Sequence, residues 1–89
     1  MKNITGDKVA EILRLFILEN YPKARQGVLQ ADDRLIGKGI IDSLGLLMLI
    51  DFVEIKFEIK ISDLDVTEDK FGSIASLSSF IKESLAKKP

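Results

Sequence analysis

Residues 39–57 read GIIDSLGLLMLIDFVEIKF. Leu46, Leu47, Ile50, Val53 and Phe57 recur at intervals of three and four, which is the spacing of one face of a helix. A helix is therefore predicted over about 43–57. Leu49, Phe52 and Ile55 carry its apolar surface sideways. A helix this apolar either sits at the centre of a domain or leaves part of its surface to a partner. Asp42 and Ser43 stand where it begins, and both residue types favour helix starts.

Upstream, Val9, Ile12, Leu13, Phe16 and Ile17, preceded by Ile4, predict a first helix over about 5–19. Leu15 and Leu18 widen its stripe. Asp7 and Glu11 suit the positive end of the helix. Asn20-Tyr21-Pro22 should end it, because the residue before a proline is pushed out of the helical region. Residues 23–42 then form a long connection of a kind that is uncommon in compact domains and often functional. Val28, Leu29, Leu35 and Ile36 are expected to tie it to the core, with a short helical turn near 33–37, and Ile40 and Ile41 to bring it back inside.

Downstream, Phe57, Ile59 and Ile61 alternate like a strand but have no second strand to pair with. They read as an extended link that plugs Ile59 and Ile61 into the core. A short helix is predicted over 67–71, ended by Gly72. Ser73 should cap a last helix over 74–86, with Ile74, Leu77, Phe80 or Ile81, and Leu85 buried. The expected fold is all-α: one domain over 1–89, a small four-helix bundle of three main helices and one short one, with a long first loop.

Composition narrows the chemistry. The chain of 89 residues has no Cys and no His. It can build neither a disulfide framework nor a Cys-based zinc site. The commonest general base is missing, so a Ser-His-Asp or Cys-His site cannot be assembled from this chain alone. With 14 acidic and 13 basic residues, the net charge of −1 points away from nucleic acid. Lys87-Lys88 reads as a solvated tail. The first twenty residues lack a continuous apolar stretch with a cleavage site, and the run Leu44–Ile50 is far too short to span a membrane. A cytoplasmic protein with no membrane insertion is expected. Asp63, Asp65, Thr67, Glu68 and Asp69 have the oxygen spacing of a calcium loop. However, Glu68 stands where that loop needs glycine and Ile74 where it needs glutamate, so no metal site is assigned.

The segment Gly39-Ile40-Ile41-Asp42-Ser43-Leu44-Gly45 resembles the phosphopantetheine attachment motif of the acyl and peptidyl carrier proteins, an Asp-Ser-Leu at the start of the second helix. The likeness extends along nearly the whole chain, through Glu54-Ile55-Lys56-Phe57 and Thr67-Glu68-Asp69-Lys70-Phe71-Gly72-Ser73-Ile74. The resemblance implies a free-standing, non-catalytic carrier. Ser43 would bear a covalent 4'-phosphopantetheine arm taken from coenzyme A, and Asp42 would be recognised by the transferase. Acyl or aminoacyl cargo would ride as a thioester in fatty-acid, polyketide, non-ribosomal peptide or related biosynthesis.

The implied partners are a phosphopantetheinyl transferase, an acyl- or aminoacyl-loading enzyme, and a downstream synthase or transferase, with the carrier itself a monomer. Their docking surface would comprise Leu44, Met48, Asp51, Glu54 and Ile55. Met48, Ile55 and Gly45 stand where fatty-acid carriers commonly have acids, so the surface should be mixed, with fewer charges to steer encounter and more apolar contact to hold it, Met48 having core filling as its alternative role. A phosphodiester on Ser43 would lie at a helix N-terminus, where free N–H groups favour negative charge. Gly39 and Gly45 would keep its approach clear. Leu47, Ile50, Phe52 and Ile74 are candidate linings for a sequestered acyl chain. The alternative is a small helical adaptor that binds a partner without any cofactor.

Overall fold

The computed structural model of the chain describes residues 6–87. Four α-helices occur in it: α1 (Gly6–Asn20), α2 (Ser43–Phe57), α3 (Glu68–Phe71) and α4 (Ile74–Ala86). Two short 3-10 turns, Pro22–Arg25 and Asp63–Asp65, lie in the connections. No strand is present among the described residues. The small all-α bundle expected from periodicity is thus the fold. Ile4, the start of the first helix at residue 5 and Lys88 of the tail lie outside the described residues.

Helices α2, α3 and α4 are each started by chemistry written next to them. Thr67 accepts the Lys70 N–H at 3.3 Å to cap α3. Ser73 caps α4 through a reciprocal box with Ser76, each hydroxyl accepting the other residue's N–H at 3.2 Å. Glu58 closes α2 in the left-handed region, φ 55°.

The core is built from Val9, Leu13 and Ile17 of α1, Leu49, Val53 and Phe57 of α2, and Ile74, Leu77 and Ile81 of α4, all buried. Phe80 is buried as well, so α4 turns both of its alternative candidates inward. α1 packs chiefly on α4, and α3 folds onto α4. The phase of α2 differs from its apparent periodicity. Leu49, assigned to the flank, has no exposure, while Leu47, assigned to the stripe, is 62% exposed. A helix that is apolar nearly all round carries no phase of its own. Its rotation is set by what packs against it, here Phe16, Tyr21 and Ile41. Of the four residues proposed to line an acyl cavity, Leu47 is the one turned out of the core, while Ile50 and Phe52 pack against it. Ile74 is in the core, and Phe52 stacks on Phe16 with centroids 3.9 Å apart.

The long connection is held by main-chain bonds as much as by side chains. The Leu35 N–H donates to Gly72 O at 2.9 Å, and the Ala75 N–H to Ala31 O at 2.9 Å. Leu35 O in turn accepts from both Ile40 and Ile41, at 2.9 and 3.0 Å. Asp33 accepts the Gln30 N–H at 2.9 Å and pairs with Lys38 at 2.9 Å, which holds its carboxyl below the usual range. Arg14 of α1 reaches Leu29 O. Leu29 and Leu35 are buried as expected, whereas Val28 is 84% exposed and Ile36 also faces solvent. Residues 34–41 form hydrogen-bonded turns, and the helical turn expected near 33–37 is met by one i to i+4 bond, the Lys38 N–H donating to Arg34 O at 2.8 Å. Ile59 is buried, and Ile61 half-buried, in the link after α2.

Candidate functional site

The start of α2 is the most closely specified point in the molecule. Asp42 is extended, and its Oδ1 accepts the Gly45 N–H at 2.7 Å. Its own carbonyl accepts the Leu46 N–H at 2.8 Å. Asp42 is thus the N-cap of the helix, a role that satisfies one of the free N–H groups of the first turn. Ser43 follows as the first helical residue and is exposed.

Behind this tip stands Tyr21, which sequence reading treated only as part of a helix stop. The Tyr21 hydroxyl donates to Gly45 O at 2.6 Å from a buried position. Its ring meets Phe16 edge-on, with centroids 5.9 Å apart. Burial first, and then the charge of Asp42, push the phenol pKa above its ordinary value. Gly45 is a glycine because this ring is there. A Cβ at residue 45 would lie 2.8 Å from Tyr21 Cε2, 3.1 Å from Asp42 Oδ1 and 3.3 Å from Ile41 Cγ2. The expectation that Gly45 keeps the approach to Ser43 open is therefore corrected: residue 45 is buried and faces the core. Gly39 is exposed and has φ 74°, a backbone conformation that glycine adopts without cost. The one signal that could have marked Tyr21 is that a buried tyrosine hydroxyl needs a partner. Tyr21, Pro22, Lys23, Gly39, Ile40 and Asp42 line a shallow cleft of about 270 Å³ beside the tip.

From the tip, one face of α2 runs outward. Leu44 is 69% exposed, Met48 49% and Ile55 71%, and Asp51 on the same face is exposed. Leu47 joins this strip. Four large apolar side chains on one helix face form the kind of patch that marks an interaction surface. Glu54, placed by the sequence on the same surface, is half-buried, and its Oε2 accepts the Ile61 N–H at 2.8 Å. That bond fastens the link after α2. In the acidic segment Asp65 is similarly engaged. It pairs with Lys70 at 2.9 Å and accepts the Ser62 N–H at 3.2 Å, and both contacts hold its carboxyl below the usual range. Among the described residues, no group of three or more acidic side chains is placed to hold a metal ion. No helix among them is long and apolar enough to cross a membrane.

No family model matches the chain, and no curated protein matches it. Among solved structures, a chain in the crystal structure of an FAD-dependent dehydrogenase superposes with a TM-score of 0.70 at 23% identity. The match covers 78% of this chain and 97% of that chain, so the matched chain is itself about this size. At this identity the likeness is one of fold.

These comparisons correct the carrier reading. The carrier family, the acyl and aminoacyl thioester function, the phosphopantetheine cofactor and the purely non-catalytic role are what the resemblance of the Asp-Ser-Leu segment and of the pattern along nearly the whole chain implies. No family model or curated relative supports that resemblance, and the matching fold belongs to a structure described as an FAD-dependent dehydrogenase. The physical reason is visible at the tip. Asp42 is accounted for as a helix cap and Gly45 by the Tyr21 ring, so these two residues of the segment have reasons within the helix start itself.

Gly37-Lys38-Gly39-Ile40-Ile41-Asp42 has the first two glycines of a dinucleotide fingerprint, but Asp42 stands in place of the third. The segment follows no strand, and its carboxylate would repel a pyrophosphate. The described residues do not fit a dinucleotide.

Proposed function

We propose that this chain is a helical docking module of an FAD-dependent dehydrogenase system, with the flavin held outside the described bundle. The observation that carries this reading is the strip Leu44, Leu47, Met48 and Ile55, exposed on a helix whose opposite face is in the core. Leaving such side chains in water forgoes about 1.5–3 kcal/mol apiece, a cost that burial against a partner recovers. The fold likeness to a chain in the structure of an FAD-dependent dehydrogenase supports the choice of a flavin enzyme as the partner. The Tyr21–Gly45 bond and the Asp42 cap hold the strip at a set angle, so it meets the partner pre-organised. Asp42 and Asp51 add negative charge at its edge, which favours a basic rim on the partner.

The test is photocrosslinking in the source cells, with a benzophenone side chain in place of Leu47 and, as a control, of Ala86 at the end of α4. Capture through residue 47 of a protein that releases FAD on denaturation, and no capture through residue 86, is the expected result. Capture of proteins without flavin at residue 47 would overturn the reading.

A further inference from the structure

A second apolar surface lies between α1 and α2, lined by Ile12, Leu15, Phe16, Glu19, Phe52 and Lys56 around a groove of about 280 Å³. Its floor is the Phe16–Phe52 stack, with rings 3.9 Å apart and 11° from parallel. Leu15 on its wall is 52% exposed. The two helices run antiparallel. Tyr21, just past the end of α1, bonds Gly45 near the start of α2, while Phe16 meets Phe52 farther along.

This direction separates the two charges of the groove. Glu19 lies toward the Tyr21 end, three residues beyond Phe16. Lys56 lies toward the opposite end, four residues beyond Phe52. At the helical rise of 1.5 Å per residue they stand about 10 Å apart along the groove, with the aromatic stack between them. Both are exposed, and neither has an ion-pair partner among the described residues.

An apolar strip with a negative charge at one end and a positive charge at the other is complementary to itself under a two-fold rotation. We propose that this groove is the interface of a symmetric dimer. Two copies meet across this groove, the exposed Leu15 of each seated over the other's Phe16–Phe52 stack, with the axis passing between them. Each Glu19 then faces the other copy's Lys56, giving two equivalent ion pairs. A heterologous partner would need the same polarity supplied from outside, whereas a second copy carries it already. The aromatic and aliphatic contacts hold the pair together, and the rim charges set its register. The groove is small, so association is weak and grows over the micromolar to millimolar range. The inference replaces the monomer expected from the sequence, and it does not depend on the docking function of the Leu44–Ile55 strip.

Sedimentation equilibrium of the purified chain over that range tests it, with circular dichroism confirming the fold of each variant. The unaltered chain is expected to dimerise, and added salt to weaken the dimer. E19K and K56E each oppose like charges at both rims, and each alone should weaken dimerisation at least about tenfold. Mixed in equal amounts, the two variants restore attraction at both rims and should associate with each other. The doubly reversed E19K/K56E chain should dimerise as the unaltered chain does. A monomer throughout the range, a single reversal that leaves association unchanged, or a mixture that fails to recover it would each overturn the proposal. Should a charge reversal unfold the chain, E19Q and K56Q take its place. Association indifferent to both of these and to salt would likewise overturn it.

Discussion

At residue 45 a single added atom would decide the packing of the helix start. A methyl group there meets the Tyr21 ring at 2.8 Å, and the ring is held in place by its bond to Gly45 O and by Phe16. Gly45→Ala is expected to destabilise the fold by about 1–3 kcal/mol, the usual cost of overpacking, even though alanine is the better helix former. Urea unfolding measures this, and a neutral or stabilising result would show that the ring can yield. Tyr21→Phe removes the hydroxyl and keeps the ring, so a smaller loss of about 1 kcal/mol is expected. The same variant tests the phenol's titration. The folded pKa lies above the unfolded value of 10.0, so the native state holds its proton longer. The stabilisation is fully present below pH 10 and is lost as the pH rises through the folded value. Alkaline destabilisation should therefore be steeper in the unaltered chain than in Tyr21→Phe.

Elements are held to one another by short polar clasps, and the one around Asp65 is the most readily tested. Its carboxylate joins the 3-10 turn to Lys70 of α3 and takes the Ser62 N–H. The folded pKa is lowered, chiefly by the Lys70 hydrogen bond and then by the Ser62 bond. The sign is opposite to that of Tyr21. The contribution is present above the ordinary aspartate range and is lost as the pH falls through the depressed folded value. Asp33, lowered first by the Gln30 N–H and then by Lys38, acts in the same direction on the long loop. Asp65→Asn should flatten the acid limb of a stability–pH profile followed by circular dichroism. An unchanged limb would mean that the clasp is solvated away. Helix positions themselves were legible in the sequence, because caps and periodicity are local. Thr67 and Ser73 start α3 and α4 as their residue types suggest. The 3-10 turns at Pro22–Arg25 and Asp63–Asp65 were missed, since stretches this short carry no periodicity.

Across the whole molecule, the long loop behaves as a core element. Leu35 has no exposure, and its N–H and C=O both bind backbone groups, at Gly72, Ile40 and Ile41. Leu35→Ala is expected to cost about 2–5 kcal/mol, as much as a truncation within a main helix. Chemical denaturation measures it, and a loss below about 1 kcal/mol would show that the loop collapses onto the vacancy. Such anchoring explains how residues 26–42, without a regular helix, can hold the start of α2 in a fixed position. The docking strip and the dimer groove then lie on neighbouring faces of the same helix pair. One is built of apolar side chains edged by Asp42 and Asp51, the other of an aromatic stack between opposite charges.

By itself the sequence determined the class of the fold, the approximate helix positions and the Ser73 cap, because these depend on neighbours within a turn or two of the chain. It also excluded thiol and imidazole chemistry, by the absence of Cys and His. Only the tertiary structure decided the rotation of α2, the burial of Leu49 with exposure of Leu47, the reason for Gly45 and the use of Glu54 as a clasp. The physical cause is common to all four. An apolar helix or a lone carboxylate has several local solutions of similar energy, and a contact from elsewhere in the chain, such as Tyr21 or Ile61, selects among them.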